Sequence, residues 1–105
     1  MIIPNECHDG HDCSDRAVDS FARAKLSPIL NSRAYKAGKT AIFVIYDEDR
    51  PVPNLVIART AHGGPISRTG SHAALLKTIE LLLGLPVMRQ GQLPSAADLR
   101  RSAHI

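Results

Sequence analysis

The sequence predicts an α/β domain, and three observations carry that prediction. "TAIFVIY", Thr40 to Tyr46, is a short run of β-branched and aromatic residues that is apolar on both faces, the signature of a buried strand. "NLVIA", Asn54 to Ala58, repeats the pattern after a connection whose two prolines keep the chain extended. "SHAALLKTIELLLG" then places Leu75, Leu76, Ile79, Leu82 and Leu83 on one stripe at helical spacing, between a serine suited to an N-cap and a glycine suited to a C-terminus.

The remaining elements follow in chain order. "MIIPN" reads as the tail of a strand stopped by Pro4, and the polar run to Asp12, which contains Gly10, reads as a loop. Ser14 or Asp12 can cap a helix over Asp15 to Lys25, where Val18, Phe21, Ala22 and Leu26 recur at helical spacing. Ser27 followed by Pro28 looks like a second N-cap with proline in the first turn, so the helix is expected to bend or restart there. "KAGK" turns the chain into the Thr40 strand, which the two-sided apolar pattern suggests is parallel to its neighbours. "RTAHGGPISRTGS" is a glycine-marked loop, and residues 89–105 form a polar tail with one helical turn near Ala96 to Arg101.

A chain of 105 residues allows one small domain with a core of its own. With 44% hydrophobic and 22% charged residues it lies outside the disordered class and should fold. The net charge of +3 is spread along the chain, and 4% aromatic content leaves little surface for stacking bases, so nucleic acid is a weak partner. No apolar run is long enough to span a bilayer, and the segment at Met1 lacks a signal-peptide layout. The chain as it stands therefore predicts a protein that is not exported.

Asp47 and Glu48 follow the first strand at its carboxyl end, the rim where open α/β sheets place ligands. Adjacent carboxylates repel unless a cation neutralises them, so a divalent metal ion accounts for the pair, and a solvated acidic turn is the simpler alternative. "CHDGHDC" contains two cysteines and two histidines, but adjacent Cys7 and His8 cannot both face one ion with ease, which disfavours zinc. A loop histidine contacting an anion suits the segment better. The two thiols, with five residues between them, can bond in an oxidising compartment and stay reduced in a cytoplasm. His72 falls in the first turn of the last long helix, where backbone amides favour anions, and His62 lies in the glycine loop before it. For each one separately, an ordinary surface histidine is the stronger reading. Neither a G-x-S-x-G elbow nor a G-x-x-x-x-G-K-[ST] loop is present.

Taken in order, "IIPNECHDGHDC", "SPILNSRAYKAGKTAIFVIYDED", "VPNLVIA" and "SHAALLKTIELLLGLP" resemble the C-terminal portion of a phosphoesterase family. That family includes bacterial acid phosphatases and phospholipase C-like enzymes and lies within the alkaline phosphatase superfamily. The resemblance spans Ile2 to about Met88, so residues 1–88 would form the C-terminal portion of the phosphoesterase domain.

The resemblance implies a partial alkaline phosphatase-like sheet with flanking helices, in a metal-dependent hydrolase of phosphate esters. Asp47 and Glu48 would be ligands of a divalent metal ion. His11 would be the catalytic histidine, contacting the substrate phosphate or helping to order the site, with His72 a second substrate-binding residue. Members carry an acidic-asparagine pair and a serine or threonine nucleophile far upstream. Neither region exists in these 105 residues, so the chain is expected to be a C-terminal fragment, inactive without its upstream half. His8 stands where the family more often has asparagine. The family's export makes a secreted or periplasmic location, and a Cys7–Cys13 disulfide, the expectation for the full-length protein. The rival reading is a non-catalytic α/β binding or remnant domain.

Overall fold

The computed structural model describes residues 1–46, 54–62, 64, 71–89 and 95–105. It is a small mixed α/β protein whose chain divides into two compact units, Met1–Thr40 and Ala41–Ile105.

The first unit is built on helix α1, Asp15–Leu30. Ser14 precedes it in extended conformation, and its carbonyl accepts the amides of Ala17 and Val18. Val18, Phe21, Ala22 and Leu26 all lie on the less exposed face, as their spacing predicts, while Asp19, Arg23 and Lys25 are exposed. The helix does not restart at Pro28: it runs unbroken through it. Pro28 lacks the amide that would bond the Ala24 carbonyl. Ala24 is exposed, so water can take that carbonyl, and only two helical residues follow the proline. Ser32, whose Oγ accepts the Tyr35 amide at 3.1 Å, opens the short α2, Arg33–Lys36. Gly38, at φ 72°, ends it in the expected turn, with the Lys39 amide returning to the Ala34 carbonyl at 2.9 Å.

In the second unit β1, Ala41–Val44, pairs with β2, Leu55–Ala58, in a two-stranded sheet. The pairing is antiparallel, with Ala41 opposite Ala58 and Val44 opposite Leu55, which corrects the parallel reading. The two-sided apolar pattern of β1 reflects half-burial of every residue in it, not enclosure between helix layers. A two-strand pair also needs no crossover helix when the second strand simply turns back on the first.

Helix α3, His72–Leu82, begins where its cap predicts: Ser71 Oγ accepts the Ala74 amide at 3.1 Å. It ends at Gly84, φ 68°, where the Leu85 amide bonds the Glu80 carbonyl at 2.8 Å and the Gly84 amide the Leu81 carbonyl at 3.3 Å. The buried face differs from the leucine stripe. Ala74, Thr78 and Glu80 are buried, whereas Leu76 is 38% exposed, Leu82 40% and Leu83 67%. The main partner of α3 among the described elements is helix α4, Leu99–Ala103, rather than the sheet.

Small side chains decide that outcome. Ala74 and Thr78 let α4 approach closely enough for the Leu99 amide to reach Thr78 Oγ1 at 3.0 Å, while that hydroxyl donates to the Ala74 carbonyl at 2.7 Å. Lys77 Nζ adds a 2.8 Å bond to the Ala96 carbonyl. Leu99 and Ala103 join Ala74 as the buried apolar residues among those described, so the segment read as a polar tail supplies most of this small core. Burying Leu99 contributes about 2 kcal/mol.

Candidate functional site

The N-terminal loop is organised around Asn5 and a disulfide. The Asn5 carbonyl accepts the amides of His8 at 2.8 Å and Asp9 at 3.0 Å, and the Asp12 amide returns to the Glu6 carbonyl at 3.0 Å. Cys7 and Cys13, with Cα atoms 4.6 Å apart, are bonded and close the loop on itself. The pairing left open by the thiols alone is therefore made. Gly10 permits the turn by taking φ 104°, a conformation that costs other residues strain.

This closed loop presents two imidazoles. His11 is exposed, and its backbone amide donates to Asp9 Oδ1 at 2.9 Å. His8 is half-buried and held on three sides. Its Nδ1 lies 2.5 Å from Asn5 Oδ1, its backbone amide donates to the same oxygen at 3.2 Å, and its ring stacks on Phe21 with centroids 4.8 Å apart. Lys25 Nζ sits 5.5 Å from the centroid of the same phenyl ring. A loop anchored in this way positions His8 against α1 more firmly than its place in a glycine-containing loop suggests.

The other sequence-selected residues lie in the second unit. His72 is the first residue of α3 and is exposed. β1 ends at Val44 and its described continuation stops at Tyr46, whose amide donates to Asn54 Oδ1 at 2.8 Å. Asp47 and Glu48 lie outside the described residues. Among the described residues, no group of three or more His, Cys, Asp or Glu side chains could hold a metal ion. His11 and His72 belong to different units, and each stands in its own.

One arrangement escaped the sequence altogether. The rings of His62 and His104 meet edge to face at 4.7 Å, although the two residues are far apart in the chain. Beside them, Arg100, Arg101, His104 and Ile105 line an open depression of about 340 Å³. Arg100 is committed to Asp98 through Nε at 3.0 Å and Nη2 at 2.8 Å. Hydrogen bonding to that guanidinium holds the Asp98 carboxyl below its ordinary range, against the opposing effect of burial. Asp98 Oδ1 also accepts the Arg100 amide at 3.1 Å, so the pair fixes the start of α4. No spacing rule would have joined His62 to His104.

Comparison with known proteins gives one informative similarity. Over 91 residues, 82% of this chain, the sequence is 30% identical to a phosphatidylinositol-3-phosphatase of Mycobacterium tuberculosis (strain ATCC 25618 / H37Rv). The aligned segment is 30% of the length of that curated relative. No protein-family model matches the chain, and no solved structure matches it significantly. The chain thus has a phosphatase-like relationship, and no helix among its described residues is long and apolar enough to cross a membrane.

Proposed function

We propose that this chain is the C-terminal part of a metal-dependent phosphoester hydrolase of the acid phosphatase and phospholipase C-like kind, within the alkaline phosphatase superfamily. The observation that carries the reading is the 91-residue similarity to a phosphatidylinositol-3-phosphatase, which makes a phosphate ester the proposed substrate. The ordered segments from "IIPNECHDGHDC" to "SHAALLKTIELLLGLP" support it.

In this reading Asp47 and Glu48, which follow Tyr46 in the sequence, hold a divalent metal ion. That ion would polarise the phosphoryl oxygens. Two carboxylates in sequence are suitable hard oxygen donors for such an ion. His11, exposed on a loop closed by a disulfide, contacts the phosphate of the substrate, and His72 contributes a second polar contact. The export common in the resembled family, together with the Cys7–Cys13 bond, supports a secreted or periplasmic location for the whole protein.

The test is hydrolysis of a chromogenic phosphate ester by this chain joined to the remaining portion of the curated relative. Turnover should require a divalent ion, and Asp47→Ala should lower it on the order of 100-fold while circular dichroism stays unchanged. Full activity in the Asp47→Ala protein, or activity indifferent to chelator, would remove the metal-hydrolase reading.

A further inference from the structure

We infer that His8 is a second phosphate-contacting imidazole of the N-terminal loop, held by Asn5 in the tautomer that presents Nε2 to the ligand. The inference deepens the phosphoesterase reading and rests on it for the identity of the ligand. Three observations lead to it.

The first concerns which proton His8 carries. Asn5 Oδ1 accepts the backbone amide of His8 at 3.2 Å, so the atom of the carboxamide that faces the imidazole is its oxygen. An oxygen at 2.5 Å from Nδ1 requires that nitrogen to be the donor. In the neutral ring the lone pair then belongs to Nε2.

The second concerns where Nε2 is. It has no hydrogen-bond partner among the described residues, and no buried side-chain nitrogen or oxygen is left unsatisfied, so Nε2 reaches solvent. The ring cannot easily turn away, because Phe21 stacks on it and the Cys7–Cys13 bond closes the loop around it. Fixed orientation with one open nitrogen is the arrangement expected of an imidazole that meets a ligand.

The third concerns what ligand suits it. Glu6, Asp9 and Asp12 share the loop with His8 and His11, so an anion held by charge alone is disfavoured there. A ligand that shares a proton with Nε2 is not. A phosphate monoester carries an exchangeable proton near neutral pH, so a protonated phosphoryl oxygen can donate to the Nε2 lone pair, or imidazolium can donate to the deprotonated oxygen. Either way one proton lies between one nitrogen and one oxygen. Sulfate, which carries no such proton in this range, can be met only by an imidazolium that has first taken a proton from solvent, so it competes less well.

The experiment uses the chain itself, labelled with nitrogen-15 at histidine, in long-range proton–nitrogen NMR. His8 should show the Nδ1–H tautomer. Asn5→Asp, which keeps the acceptor oxygen, should retain it, and Asn5→Ala should lose it. Inorganic phosphate should move the His8 ring signals, and sulfate at matched ionic strength should move them clearly less. His8→Gln should weaken phosphate binding, followed at His11, about tenfold. Glycerol 2-phosphate should act like inorganic phosphate, because the shared feature is the phosphoryl oxygen. A response to the inorganic ion alone would overturn the contact with an ester. An Nε2–H tautomer, an equal response to sulfate, or unchanged phosphate affinity in His8→Gln would overturn the proposal. An active joined enzyme with an unmoved His8 ring sinks this contact alone. An inactive joined enzyme whose His8 still responds to phosphate sinks the hydrolase reading and leaves the contact.

Discussion

Thr78→Val is the sharpest test of what holds α4 to α3. Thr78 is 0% exposed, and its hydroxyl is used twice, donating to the Ala74 carbonyl and accepting the Leu99 amide. Valine keeps the shape and removes both roles. The Ala74 carbonyl retains its helical partner, so the loss concentrates on the Leu99 amide, left without an acceptor at a position that is 7% exposed. An unsatisfied buried donor costs about 1–3 kcal/mol, and we expect about 2 kcal/mol here. Thr78→Ser keeps the hydroxyl and removes one methyl group, for about 1 kcal/mol, through lost burial. Denaturant unfolding gives the two values, and amide exchange at Leu99 reports the bond directly: protection should fall in Thr78→Val and persist in Thr78→Ser. Wild-type stability with unchanged Leu99 protection in Thr78→Val would refute the assignment of this hydroxyl as the link between the helices.

Further outcomes follow from the same contacts. Because the folded state lowers the Asp98 pKa through Arg100, the pair contributes stability above the unfolded carboxyl value of about 3.9, and that stability is lost as pH falls through the lower folded value. Asp98→Asn should therefore already lack this contribution at about pH 5 and lose less on titration to about pH 2.5, as read by α4 amide exchange. Gly84→Ala should cost about 1 kcal/mol in thermal unfolding although a methyl group there meets nothing within 4 Å, because φ 68° is unfavourable for any residue with a Cβ. Reducing the Cys7–Cys13 bond frees a short loop, for which chain entropy gives about 2 kcal/mol, and should raise amide exchange at His8 and Asp12.

Helix boundaries were legible in the sequence wherever their cause is local. Ser71 and Gly84 bracket α3 because a cap hydroxyl and a left-handed glycine act on amides and carbonyls within a few residues. The stripe Val18, Phe21, Ala22 and Leu26 marked the inner face of α1 for the same reason. The two cysteines stated what could bond, and the turn that brings their Cα atoms to 4.6 Å is what makes the bond. Tertiary structure alone decided the rest. α3 offers a leucine stripe and an Ala74–Thr78 face, and hydrophobicity favours the stripe. The smaller face wins against α4 because close approach gains the Thr78–Leu99 bond, which no one-dimensional pattern contains. The direction of β2, the passage of α1 through Pro28 and the meeting of His62 with His104 are likewise choices between arrangements of similar local cost. Each is settled by contacts between residues distant in sequence or by which carbonyl water can reach, and such terms arise only once the chain has folded.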